Sequence, residues 1–274
     1  MRIRIHHLTT YAWRTPAKSI IQVLRLTPRN HDGQRVNSWR IDPDVDHSLK
    51  MSEDAYANLV HTISIDGPLS RLTVSIDGDV ETFDTAGVLR GSIERFPPQF
   101  YLRDTPHTEA RDLLREFARD TVSGIADTLG KMHALMGGVA DIMKLDPEAA
   151  PEIATAGEAF GRKSGASQDL AQAFIAAARH VDTPARFVSG YYFDVESKSQ
   201  ANAAHGWAEA WIEGLGWVGF DPAHCICPTE GHVSVARALD YLGASPVRAS
   251  RSGGDGEEVD AQVRVSQQQD QRQS

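Results

Sequence analysis

Residues 161–186 read GRKSGASQDLAQAFIAAARHVDTPAR. A glycine-bearing loop leads into Ser167. Ala166, Leu170, Ala173, Phe174 and Ala177 then recur at helical spacing, which predicts a buried amphipathic helix opening at Ser167. The first amides of a helix have no intrahelical partner and lie at the positive end of the helix dipole. A hydroxyl at Ser167 therefore stands where an oxyanion or carboxylate can be held. Serine is also a preferred N-cap, and this stretch alone leaves both roles open.

Thr183-Pro184 stops the helix, and ARFVSGYYF, rich in aromatic and β-branched residues, predicts a strand. HGWAEAWI, from His205 to Ile212, predicts a second strand. On it His205, Trp207, Glu209 and Trp211 share one face, while Gly206, Ala208 and Ala210 keep the other thin for close packing. Glu213-Gly214-Leu215-Gly216 turns the chain into WVGFDP. Nucleophilic acyl chemistry needs an attacking atom, a base, a group that orients the base, and donors for the oxyanion. Ser167, His205 and Asp221 supply the first three in chain order. Hairpin register tests the set. A four-residue loop would put Asp221 and His205 on opposite faces, whereas a three-residue loop over 213–215 sets Trp211 opposite Trp217 and Asp221 diagonal to His205. The Ser167 amide is an expected oxyanion donor, and Gln168 and Trp207 are candidate oxyanion or substrate contacts. Glu209 is read as a surface or salt-bridged strand residue and Asp169 as a helix-dipole partner in the first turn.

Upstream, RIRIHHLTTYAW, SIIQVLRLTPR, VNSWRIDPDV, NLVHTISIDG and RLTVSIDGDVETF alternate with period two, broken at Asp32-Gly33, Asp66-Gly67-Pro68 and Asp77-Gly78. They predict an all-β, sandwich-like unit over residues 1–90. Phe96-Pro97-Pro98 marks a boundary. Thr105 and Thr108 are candidate caps for a helix carrying Ala110, Leu113, Leu114 and Phe117, and a second helix is drawn through Ile125 to Met143 with its methionines in the core. Asp146-Pro147 to Pro151 reads as loop. The expected organisation is a β domain at 1–90, an α/β core at 91–248, and a terminal segment at 249–274. In that segment the Gly-rich 249–258 is expected mobile, VDAQVRV a last strand and 267–274 disordered. The fold class is α+β.

The chain has 28 basic and 37 acidic residues, net charge -9, and no long basic run, which argues against a nucleic-acid partner. Without an apolar leader or an 18-residue apolar run, no membrane association is expected and the cytoplasm is the expected location. Cys225 and Cys227 are read as reduced thiols. His205, His224, His232 and the two cysteines fall close together, but none has metal-ligand spacing, so neither metal nor other cofactor is expected.

The chain resembles bacterial transglutaminase-like proteins, a branch of the papain-like cysteine protease and transglutaminase superfamily. The resemblance rests on IHHLTTYAW, LRLTPR, DAYAN, ASQD followed by PARFVSGY, HGWAEAWIEGLGWVGFDP and DYLGASPVR. It implies a leading β domain, then a core in which a cysteine on a helix N-terminus, a histidine on one strand and an aspartate on its neighbour act on an amide. His205 and Asp221 match that pattern. Family members usually carry Cys where this chain has Ser167. A thiol ionises beside an imidazolium, but a hydroxyl needs its proton removed during attack. Three readings of Ser167 stand at this point: a true nucleophile acting on peptide, isopeptide or glutamine side-chain amides; a silent relative that binds peptide in the same cleft; or an engineered Cys-to-Ser form.

Overall fold

The computed structural model describes residues 1–146, 154–195 and 203–267. Two long strands, β1 (Arg2–Thr27) and β4 (Leu59–Thr82), run antiparallel along most of their length. β2 (Gln34–Pro43) and β3 (Ser48–Glu53) both add to β4. Of the five strands expected from alternation, the first two merge into β1 and the last two into β4, β2 matches the third, and β3 was not foreseen; two of the three turn signals do not turn the chain. Asp77-Gly78 stays extended within β4, where a Cβ on Gly78 would lie 2.2 Å from the Trp39 ring, so the glycine is a seat for an indole. Asp66-Gly67-Pro68 falls where β1 and β4 slip register, between Ser19↔Asp66 and Ala17↔Leu69, an irregularity that bends the strands. Asp32-Gly33 does turn, closed by paired His31 and Gln34.

Tyr11, Trp13, Leu72 and Val74 from one half of the long strands share a buried cluster with Ile20, Leu24, Ile63 and Ile65 from the other half. The sheet folds over itself, a sandwich-like unit whose layers are joined by continuous strands. β11 (Val247–Gly253) and β12 (Glu257–Gln267) complete it, both antiparallel to β1. This corrects the expectation of a mobile glycine-rich segment. Gly253, Gly254 and Gly256, with φ of 71°, 79° and 67°, make the turn between two paired strands. The expected disordered stretch beyond Gln267 lies outside the described residues.

Helices α1 (Asp112–Val122), α2 (Thr128–Ile142), α3 (Ala156–Arg162) and α4 (Ser167–His180) precede a second sheet of β7 (Ala185–Tyr192), β8 (Ala204–Ile212), β9 (Gly216–Phe220) and β10 (His232–Ala238), in the antiparallel order β10-β7-β8-β9. A short parallel pair, β5 (Lys144–Leu145) and β6 (Ser164–Gly165), fixes the approach to α4. Met132, Met136 and Met143 are buried in the core as expected. Thr105 and Thr108 do not cap α1, whose N-cap is Arg111. Instead the Thr108 hydroxyl accepts from the buried Arg179 at 2.6 Å. α3 was not foreseen, although Thr155 and Glu158 form the reciprocal cap that marks a helix start. Every residue of α4 except Gln168 and His180 is buried. An alanine-rich helix is slim enough for α1, α2 and α3 to pack on one side and β7 and β8 on the other.

The two units interlock at β10, the edge strand of the second sheet. Gln34 gives its amide N–H to Ser234 O at 2.9 Å and takes Ser234 N–H at 2.8 Å. Asn58 does the same at Arg237, both bonds 2.8 Å. Two carboxamides thus imitate a neighbouring strand and seal the edge. The DAYAN turn presents Asn58: Asp54 Oδ1 accepts the amides of Tyr56 and Asn58 at 2.9 and 3.0 Å. LRLTPR holds that turn through Arg25 on Asp54 and Arg29 on Ala57 O, at 2.9 and 2.6 Å.

Candidate active site

The β8–β9 hairpin pairs Trp211 with Trp217 and Ile212 with Gly216. Its loop is the three residues 213–215, and Gly214 and Gly216 take the left-handed φ of 83° and 90° that it requires. In that register Asp221, one residue past β9, stands diagonal to His205, and His205 Nε2 lies 2.8 Å from Asp221 Oδ2.

Ser167 is the first residue of α4, and Ala166 is the cap. The ordinary N-cap role is therefore not the one Ser167 fills. Asp169 ties the helix start instead, accepting from Ala166 N at 3.0 Å, the helix-end role expected of it. The Ser167 hydroxyl accepts from Gly206 N at 3.1 Å, next along the chain from His205. Close approach explains the glycine: a Cβ there would sit 2.6 Å from the Phe187 ring and 3.4 Å from the Gln168 Cα. Among the described residues no hydrogen bond joins Ser167 to His205 directly.

Asp221 is fully buried and is addressed by four donors. Its Oδ2 meets His205 Nε2 and His224 Nδ1, each at 2.8 Å, and His232 Nε2 at 3.2 Å, while Oδ1 accepts Ala223 N–H at 3.0 Å. That is about as many donors as a carboxylate has lone-pair sites. Burial alone would raise its pKa, but the charge and hydrogen bonds of the histidines outweigh burial and hold it well below the usual carboxylate range. The carboxylate can only accept, so each imidazole nitrogen facing it carries a proton, and Nδ1 is the His205 ring nitrogen turned away from Asp221. Tyr192 covers the cluster, its ring centroid 4.4 Å from His224, 4.5 Å from His232 and 5.5 Å from His205.

His205, Asp221 and His232 also place ligating atoms within 4.8 Å of one another. A metal-bound histidine normally donates its other N–H to an acceptor. His232 Nδ1 instead receives the Thr229 N–H at 3.1 Å, so its proton lies on Nε2, the atom a metal would need. The cluster is a hydrogen-bond hub. His224 and His232 were singled out in the sequence only as metal candidates, because no periodicity connects positions on a loop and an edge strand to Asp221.

Gln168 is half-buried at the start of α4. Trp207 is only 3% exposed and packs edge-on against His232 with centroids 5.3 Å apart, so it backs the histidine cluster. Glu209 is buried in an ion network, 2.7 Å from Arg186 and 3.1 Å from Arg237. Arg186 reaches on to Glu94 at 2.6 Å and stacks 4.0 Å over the Trp217 ring. The salt-bridged reading of Glu209 describes it, although the network is interior. Cys225 and Cys227 are unpaired thiols, the first exposed.

Residues 3–81 match the bacterial transglutaminase-like N-terminal region, and residues 115–222 match the transglutaminase-like superfamily. Residues 115–222 belong to the transglutaminase-like superfamily. This transglutaminase-like chain is 25% identical over 284 residues to the uncharacterized protein ML0607 of Mycobacterium leprae (strain TN), spanning 97% of this chain and 98% of that one. A solved structure described as a candidate cysteine protease from Cytophaga hutchinsonii superposes with TM-score 0.79 at 17% identity, covering 98% of this chain and 92% of that one. The periplasmic domain of TgpA from Pseudomonas aeruginosa matches at TM-score 0.40 and 17% identity, over 78% of this chain and 73% of that one. The likeness to the first structure shows that the transglutaminase-like chain has the α+β fold of that protein. Among its described residues no helix is long and apolar enough to cross a membrane.

Proposed function

We propose that this chain performs acyl chemistry on amides, with Ser167 as nucleophile, His205 as base and Asp221 as the group that orients the base. The observation that carries this reading is the 2.8 Å His205–Asp221 bond, which aims a free imidazole nitrogen away from Asp221 while the Ser167 hydroxyl is held one backbone step away by Gly206 N–H. In the reaction His205 Nδ1 takes the Ser167 proton as Oγ bonds to the carbonyl carbon. The oxyanion is met by amides of the first turn of α4, which have no helical partner. His205 then returns the proton to the leaving nitrogen as the C–N bond breaks, and water or an amine releases the acyl group. Catalytic hydrogen bonds are often long before substrate binds and close in the complex, which accommodates the open Ser167–His205 contact. Peptide, isopeptide and glutamine side-chain amides all present the required carbonyl. The unpaired Cys225 and Cys227 suit a reducing compartment, and cytoplasmic residence is part of the reading.

The test compares the chain with Ser167→Ala and Ser167→Cys, using a p-nitrophenyl ester and a glutamine-containing peptide, with intact mass to detect acyl-enzyme. Turnover abolished in the alanine variant, with the acyl adduct mapped to Ser167, is the expected result. Turnover that appears only in the cysteine variant removes Ser167 as nucleophile and leaves the cleft as an inherited one. No turnover in any form makes the chain a silent relative.

A further inference from the structure

An orienting carboxylate needs one imidazole, yet Asp221 has three. We propose that His232 is a positioning residue for the reaction proposed above, fixing the Asp221 carboxylate so that Oδ2 faces His205, with His224 as a second holder at the mouth of the site. His232 cannot serve as the base, because both of its ring nitrogens are engaged: Nδ1 accepts Thr229 N–H at 3.1 Å and Nε2 meets Asp221 at 3.2 Å. Its side chain is 2% exposed. The backbone donor at Thr229 dictates the tautomer, so His232 always presents an N–H to the carboxylate. Burial lowers its pKa more than the Asp221 hydrogen bond raises it, which keeps the ring neutral. A neutral donor steers a carboxylate without cancelling the charge that His205 requires as it takes up a proton.

The surroundings hold His232 in place independently of Asp221. It opens β10 opposite Tyr192 of β7, with Trp207 against one edge at 5.3 Å and the Tyr192 ring at 4.5 Å. His224, by contrast, sits on the loop after Asp221 with 31% of its side chain exposed. The Asp221–Ile226 backbone pairing closes that loop. The rigid holder is on the strand and the adjustable one is on the loop.

Two substitutions separate positioning from bulk packing. In His232→Gln the amide nitrogen can occupy the place of Nε2 and still donate, whereas His232→Phe keeps the ring and loses the donor. Removing a hydrogen bond to a charged group predicts a fall in kcat of about 10- to 100-fold in the phenylalanine variant. KM stays near wild type, and His232→Gln recovers most of the loss. The second readout needs no turnover. In the ¹⁵N-labelled full chain, the His205 ring shows Nε2 protonated and Nδ1 bare, and in His232→Phe the two nitrogens move toward averaged values. If no form turns over ester or amide, the functional reading fails and the ring signals alone decide this proposal. A folded phenylalanine variant with unchanged kcat or unchanged His205 ring signals overturns it, as does a glutamine variant no better than phenylalanine. Should the phenylalanine variant not fold, His232→Leu supplies the same comparison.

Discussion

Mild acid should loosen this protein at the seam between its two units. Two histidines stand on that seam. His7 of β1 meets the Tyr191 hydroxyl of β7 at 3.0 Å, and His31 meets the Ser234 hydroxyl of β10 at 3.0 Å. Burial, assisted by His6, lowers His7 from 6.5 to about 4; burial, assisted by Arg237 against Glu209, lowers His31 from 6.5 to about 3. A histidine whose folded pKa lies below its unfolded one binds fewer protons when folded, so its contribution to stability shrinks as pH falls below 6.5. Integrating that linkage from about pH 8 to about pH 5 gives a loss of roughly 2 kcal/mol for each residue, roughly 4 kcal/mol together. That is a large share of a typical 5–15 kcal/mol. Buried His232, also lowered, adds to the loss. His224 opposes it: burial disfavours its cation, but Asp221 and Asp194 outweigh burial and raise its pKa, so it stabilises the fold below 6.5 and loses that contribution as pH rises through its folded value. Asp221 takes little part in this window, because its contribution is lost only as pH falls from the unfolded value near 3.8 down through its depressed folded value. The assay is urea unfolding at several pH values for the wild type and a His7→Gln/His31→Gln double variant. The wild-type midpoint should fall steeply toward pH 5 and the double variant's should be much flatter. Parallel profiles for the two proteins would refute the assignment of the acid response to these residues.

Two further perturbations test the packing beneath the site. Glu209→Leu takes a carboxylate from the buried Arg186, which keeps Glu94, and from the partly buried Arg237, and should cost about 3–5 kcal/mol in denaturant unfolding; a loss under about 1 kcal/mol would contradict a buried network. Gly206→Ala forces a methyl to within 2.6 Å of the Phe187 ring and should cost about 1–3 kcal/mol while displacing the Ser167 end of α4. An unchanged melting temperature with unchanged reactivity of Ser167 would show that the glycine is not needed for close approach.

The parts of this molecule that could be read from sequence are those fixed by local periodicity. The thin face of Gly206, Ala208 and Ala210 predicted close packing on that side of β8, and two glycines around Leu215 restricted the hairpin to few registers, one of which aligns Asp221 with His205. Legibility failed where tertiary contact decides. Asp77-Gly78 looks like a turn until Trp39 is laid over it. The glycine-rich 249–258 looks mobile until β1 supplies partners for its backbone. The hub around Asp221 joins residues from β8, the loop that follows β9, and an edge strand, and no pattern along the chain encodes such a meeting.

The seam and the site are mechanically one object. β10 carries His232 at its first residue and is held by β7 along one edge, while its other edge has no strand partner in the second sheet among the described residues. Gln34 and Asn58 supply the missing partners at Ser234 and Arg237, two and five residues beyond His232. Arg25 and Asp54 hold Asn58 in turn. A path of hydrogen bonds therefore runs from the LRLTPR and DAYAN segments of the first sheet through β10 to the imidazole that grips Asp221. On this view the leading β unit is part of the proposed acyl-transfer site, and the constraint it transmits is the orientation of one buried carboxylate.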